Sequence, residues 1–301
     1  MPLWIPLTIA AAFLQNLRSA LQKQLTAELS AITATYVRFS FGLPVAALYV
    51  VALAYGTDAA LPGPDAEFLL YCLIGGLAQI LGTVLTVALF AYRNFAIGSA
   101  YAKTETVQTA LFGFVVLGDH LSVGSVAAIF ISLIGVMLIS STRSALTVKL
   151  FFTSLLERPA LMGIGGGTCF GISAVSYRAA SLSFGRADFL MPAAFTLLSV
   201  MIFQTIAMTA WIAWREPGQL TATVRNWKVS FLVGLTGALA SIGWFTAMTI
   251  ENAAYVRALG QIELLFAFAS SVFLFKEKTK SLEVFGVLLV VAGIALLLLA
   301  R

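Results

Sequence analysis

The chain has 301 residues, of which 60% are hydrophobic and only 10% charged, with a formal net charge of +5. A soluble domain averages about 25% charged residues, so there are too few here to cover a water-facing surface, and the composition is equally unlike a disordered chain, a collagen or a disulfide-stapled module. The basic excess does not indicate nucleic acid, because the Lys and Arg residues sit mostly between apolar runs, where the positive-inside rule places them. What remains is an all-α integral membrane protein.

Crossing a bilayer takes about 20 mainly apolar residues. Ten runs qualify, at 3–23, 31–54, 67–91, 95–117, 121–141, 158–182, 188–214, 229–250, 252–275 and 281–300. The opening Met-Pro-Leu-Trp-Ile-Pro has no basic stretch, which predicts a retained first helix rather than a cleaved signal. In that helix Gln15, Arg18 and Gln22 share one stripe, with Asn16 beside it. Lipid rejects such a face, so it lines a cavity or another helix. Arg38, near Tyr36, is the equivalent in the second run, as a cavity residue or as half of a structural ion pair. Cys72 and Cys169 lie inside apolar runs and read as small reduced hydrophobes. With His120 the lone histidine, no metal site and no cofactor are expected.

The fourth run carries Tyr101, Glu105 and Gln108 at spacings of four and three, and Ser99, Lys103 and Thr106 on another face. Residues two apart on a continuous helix point in nearly opposite directions. Lys103 and Glu105 are therefore not expected to share a cavity. In the turn that follows, Asp119 and His120 read as exposed hinge residues, as does Glu277 among Lys276, Lys278 and Lys280. The sixth run repeats Gly163, Gly167 and Gly171 every fourth residue, a stripe that lets helices approach closely. It also carries Ser173, Ser176, Tyr177 and Arg178, the counterpart of the polar first helix. Trp4, Trp211, Trp214 and Trp227 lie near run ends, as interface anchors do. Trp244 lies deeper, as a pocket wall or as core. In the ninth run Arg257 and Gln261 share a face, while Glu263 joins Val256, Gly260 and Ala267 on another.

Glu105 and Glu263 are the sharpest candidates for chemistry. A carboxylate at midspan costs roughly 2.5–3.5 kcal/mol on insertion scales. Such a group either binds and releases a proton or substrate, or is a structural carboxyl bonded to a neighbouring helix. Lys103 and Arg257 either face the cavity, favouring a substrate with a carboxylate or phosphate, or pair with acids of other helices; Lys103 has a third option, snorkelling to the interface.

Shifted by 158 residues, one stretch of the sequence matches another without a gap: Gly76 falls on Gly234, Asn94 on Asn252, Glu105 on Glu263, Asp119 on Glu277 and Gly135 on Gly293. Acids within spans are rare, so the acidic pairs carry the argument. Each half holds five spans, and five is odd, which turns the second half over. The chain thus reads as ten transmembrane helices in two inverted five-helix repeats, residues 1–141 and 158–301, joined by 142–157.

Lys103-Thr104-Glu105 onward to Gly118-Asp119, with its echo Gln261-Ile262-Glu263 onward to Lys276-Glu277, resembles the signature of EamA-type transporters of the drug/metabolite transporter superfamily. Glu105 and Glu263 match the acid of the family's triplet, Asp119 and Glu277 its later acid, and Gly135 and Gly293 its late glycine. Arg38 resembles an arginine common in the second span. The triplet proline is replaced by Thr106 and Leu264, which implies helices less kinked than is usual in the family. The resemblance implies a small-molecule transporter, and export in particular.

Basic residues gather in alternate loops (Lys23, Arg93, Arg143, Lys149, Arg158, Arg215, Arg225, Lys228, Lys276, Lys278 and Lys280), against Arg186 in the others and Arg301 at the end. The positive-inside rule then puts both termini outside the inner (plasma) membrane. No nucleotide-binding motif is present, so a proton gradient, another ion gradient or a counter-substrate must drive transport. The expected partners are a small-molecule substrate and the lipid bilayer. One bundle suffices for a site, so the expectation is a monomer or homodimer. A small polar metabolite such as an amino acid is the leading cargo. A multidrug exporter and a non-transporting scaffold are the alternatives. An enzyme is not expected, since no nucleophile–base pair or metal cluster can be assembled.

Overall fold

The computed structural model describes residues 2–57, 60–89, 91–92, 95–144, 155–185, 188–273 and 280–300. Among them are fourteen helices and no strand. In chain order these are α1 (Trp4–Leu25), α2 (Ala31–Ser40), α3 (Leu43–Gly56), α4 (Ala66–Leu89), α5 (Phe95–Ala102), α6 (Glu105–Leu117), α7 (Val123–Ser144), α8 (Arg158–Leu182), α9 (Leu190–Arg215), α10 (Gln219–Arg225), α11 (Trp227–Ile250), α12 (Ala253–Gly260), α13 (Glu263–Phe273) and α14 (Ser281–Ala300). Ten apolar runs became fourteen helices for two reasons. The second, fourth and ninth runs are each divided in two, and the link after α9 contributes the short α10. Among the described residues, six stretches are long and apolar enough to cross a membrane: Ala31–Gly56, α4, α8, α9, α11 and α14.

Local chemistry sets the helix starts. Asp65 accepts from the Phe68 N–H at 2.8 Å, Ser122 from Ser125 at 3.0 Å, Asp188 from Met191 at 3.1 Å and Asn252 from Ala254 at 2.8 Å. Each satisfies an amide that the first turn leaves orphaned. Gly118 ends α6 with φ of 65°, a left-handed cap that a side chain would strain.

The helices pack in reciprocal pairs: α1 along α11, α4 along α8, and α7 along α14. Glycine lets the last pair touch backbone to backbone. A Cβ on Gly135 would lie 2.6 Å from the Gly286 carbonyl oxygen, and one on Gly286 2.8 Å from that of Gly135. The stripe on α8 has the same purpose, with Gly167 against the Ala102 carbonyl oxygen and Gly171 against Thr109 and Phe112. It seats α8 on the divided α5–α6 pair. The starts of α5 and α12, α6 and α13, and α7 and α14 are each separated by the 158-residue offset of the sequence repeat.

Trp4 departs from expectation. It is 1% exposed and packs in the core, so it is no interface anchor, whereas Trp211, Trp214 and Trp227 are exposed. Arg93, Asn94, Lys149, Arg186, Lys276, Glu277, Lys278 and Arg301, on which part of the repeat and topology argument rests, lie outside the described residues.

Candidate functional site

Two of the three divided runs, the fourth and the ninth, meet where α6 packs against α12. After α5, the Lys103 N–H donates to the Ala100 carbonyl at 3.1 Å and Thr104 to Tyr101 at 3.1 Å. After α12, Gln261 donates to Ala258 at 3.2 Å and Ile262 to Leu259 at 3.0 Å. Both chains thus switch from i→i−4 to i→i−3 bonding for one tight turn. No proline is involved, so its absence from both triplets does not keep these helices continuous. The turn also changes the angular step between residues, which corrects the facial assignment made for a continuous helix. Lys103 and Glu105 line the same cavity, and Glu263 joins Arg257 and Gln261 there.

That cavity holds about 270 Å³. Nine of the candidates line it: Gln15, Arg18, Arg38, Lys103, Glu105, Trp244, Arg257, Gln261 and Glu263. The remaining two do not. Tyr101 is buried against Ala160 and Ile164 of α8, and the Gln108 amide donates to Thr104 Oγ1 at 2.9 Å. Gln22 also lies outside the cavity and donates to the Ala34 carbonyl at 2.9 Å, fastening α1 to α2.

Three contacts cross between the two breaks. Lys103 Nζ pairs with Glu263 Oε1. Arg257 Nε lies 3.0 Å from Glu105 Oε1. Gln261 Nε2 donates to Thr106 Oγ1 at 2.8 Å. Gln15 of α1 adds a bond to Glu263 Oε2 at 3.2 Å, and the Trp244 ring lies 5.0 Å from the Arg257 guanidinium. Each of the two acids thus lies beside a cation of the other half, Glu105 and Arg257 as an ion pair without a hydrogen bond, which lowers the cost of keeping either charge out of water.

Arg18 and Arg38 differ. Neither has a carboxylate partner among the described residues. Arg38 reaches Thr83 Oγ1 at 3.4 Å and Ser241 Oγ at 3.5 Å, both long for a hydrogen bond. Arg18 Nη2 donates to Ser19 Oγ at 3.3 Å, and its Nε and Nη1 are buried without a partner.

Several lining residues escaped the sequence reading. Gln79 is one: it lies 3.1 Å from the Tyr177 hydroxyl and accepts from Gln204 Nε2 at 3.0 Å. Tyr177 stacks on Phe245 with ring centroids 4.4 Å apart. A midspan amide in an apolar run was the available signal for Gln79. Ser19 and Ser241 gave none, since isolated serines are common in membrane helices.

One end of the helix bundle is tied by Arg178. Its Nη1 donates to the Met248 carbonyl at 2.7 Å and the Glu251 carbonyl at 2.5 Å, capping α11. Its Nε lies 3.5 Å from Asp119 Oδ2 in the α6–α7 turn. Asp119 is thus an ion-pair member rather than a free turn charge.

The EamA-like transporter family matches residues 2–141 and again 158–299. No curated protein matches the chain. A solved chain described only as "Crystal structure of protein" superposes with a TM-score of 0.70 at 15% identity, covering 99% of this chain and 97% of that one, a likeness that shows the fold alone. With six long apolar helical stretches among the described residues and two family matches spanning nearly its whole length, the chain is a multi-pass membrane protein and belongs to the EamA-like transporter family.

Proposed function

We propose that the protein is a secondary active transporter that exports a small polar metabolite, such as an amino acid, across the inner (plasma) membrane by alternating access. Ten spans form two inverted repeats, residues 1–141 and 158–301, with 142–157 as the connection and both termini outside. Divided runs are counted as one span each, and loop charges set the orientation. The observation that carries the reading is the charged cavity at the meeting of the two breaks, with its ion pairs running from half to half. Rocking the halves would remake those pairs and expose the same cavity to the other side. Family resemblance favours export. A proton moving through 100 mV supplies about 2.3 kcal/mol, and Glu105 and Glu263 are the groups placed to couple it.

A multidrug exporter is less well supported. The cavity's four cationic side chains outnumber its two acids, so its net positive charge opposes a cationic drug. A scaffold has no use for paired charges that are costly to bury.

The test compares growth media. Cells expressing the protein are set beside empty cells and beside cells with the Glu105→Gln plus Glu263→Gln variant at matched membrane abundance. A metabolite that accumulates with the parent alone is the expected result. Equal accumulation with the variant keeps export and removes the acids from the mechanism. Media indistinguishable from those of empty cells would sink the amino-acid proposal in that host.

A further inference from the structure

Resting on the reading of the central cavity as the substrate site, we infer that Arg18 and Arg38 form an anion subsite, and that the transported molecule is a small organic dianion, a dicarboxylate or a phosphate monoester. Six charged side chains line the cavity. Lys103 with Glu263, and Arg257 with Glu105, cancel as pairs. Arg18 and Arg38 are left outside any salt bridge among the described residues. Glu263 acts on Arg18 but is already paired with Lys103, so the cavity has two more positive than negative side chains.

Those charges are buried, with Arg18 8% and Arg38 6% exposed. A desolvated ion without a counter-ion is costly, and folded proteins pair such groups or hold a ligand against them. The hydrogen bonds present do not meet that need. Arg38 has two long contacts to hydroxyls, and Arg18 leaves Nε and Nη1 with no partner. Both stems flank Gly237, where a Cβ would lie 3.3 Å from Arg18 Cδ and 3.1 Å from Arg38 Cγ. The two guanidinium groups therefore belong to one corner of the cavity, between α1, α2 and α11. A guanidinium presents a planar fork of N–H donors that fits the paired oxygens of a carboxylate or phosphate. Ser19 and Ser241, beside them, supply hydroxyls for the rest of the ligand.

The purified full-length protein in nanodiscs is titrated at constant ionic strength with succinate, glycerol 1-phosphate, alanine, tetramethylammonium and sulfate, reading the thermal unfolding midpoint. One of the two organic dianions is expected to raise it saturably, which also separates carboxylate from phosphate. Arg18→Lys and Arg38→Lys keep the charge and lose the fork, so each is expected to weaken that dianion at least tenfold while the ligand-free midpoint holds. Should a variant not fold, the parent's own ranking decides. Stabilisation by alanine or tetramethylammonium above both dianions overturns the proposal, and so does an equal response to sulfate. Counterflow of the binding probe in proteoliposomes separates the two readings. Saturable dianion binding without flux keeps the anion subsite and rejects transport. Alanine flux that both Lys variants leave intact keeps transport and rejects the subsite.

Discussion

Glu105 and Arg257 illustrate what a paired charge does inside a bilayer-spanning fold. Their side chains are 17% and 12% exposed, so each depends on the other more than on water. Glu105→Gln leaves the guanidinium without its acid, and a broken buried pair costs about 3–5 kcal/mol; the partial exposure favours the low end, about 3 kcal/mol. Replacing both partners, Glu105→Gln with Arg257→Gln, removes the orphaned charge. The expected double-mutant cycle in thermal unfolding shows a coupling of about 1–3 kcal/mol. Strictly additive losses would mean that the contact contributes nothing. At this scale much of the site was legible in the sequence. Arg18, Arg38, Glu105, Arg257 and Glu263 are charges set inside apolar runs, and all five line the cavity. Tyr101 was misplaced because its face was assigned across the break, whereas Gln108 follows Glu105 on continuous α6 and is held by Thr104 instead.

The break between α5 and α6 shows why element-level reading failed where composition succeeded. A run such as 95–117 is apolar throughout, and one tight turn barely alters its hydropathy. The signal is a change in hydrogen-bond step, written in backbone geometry rather than residue type. Its recurrence 158 residues later, between the same bond pairs, shows that the repeat carries it. Gly167 supports this arrangement by letting α8 approach the turn. A Cβ there would sit 2.9 Å from the Ala102 carbonyl oxygen and 3.3 Å from the Glu105 amide nitrogen. Backbone cannot yield as a side-chain tip does, so Gly167→Val is expected to destabilise by about 1–3 kcal/mol. The loss should appear as a lower unfolding midpoint together with weaker binding of any cavity ligand. By contrast, a Cβ on Gly56 would meet nothing within 4 Å, so Gly56→Ala should leave ligand binding unchanged.

For the whole molecule, access to the cavity is the property of interest. The Arg178 tie joins α8, the end of α11 and the turn after α6, so it restrains three elements at one end. Arg178→Gln is expected to loosen that end. In a background with Cys72→Ala and Cys169→Ala, a Met248→Cys probe should react at least several-fold faster with a membrane-impermeant thiol reagent when Arg178→Gln is added. Unchanged labelling would show that the tie does not govern entry. Loop charges, by contrast, bear on which compartment that end faces, and a reporter fused to Arg301 tests the assignment, with activity expected on the outer side.

The carboxylates repeat at the 158-residue offset, but their cations do not: Gln261 stands where Lys103 would recur, and Ser99 where Arg257 would. In a perfectly duplicated transporter the two facing states would be equal in energy and equally populated at rest. On the alternating-access reading proposed above, the pairs to be remade are chemically different, so the two resting populations would differ, by tenfold for every 1.4 kcal/mol of difference. A ligand's apparent affinity falls with the fraction of molecules ready to receive it. One unaltered pocket would therefore bind its cargo more tightly when approached from one compartment than from the other.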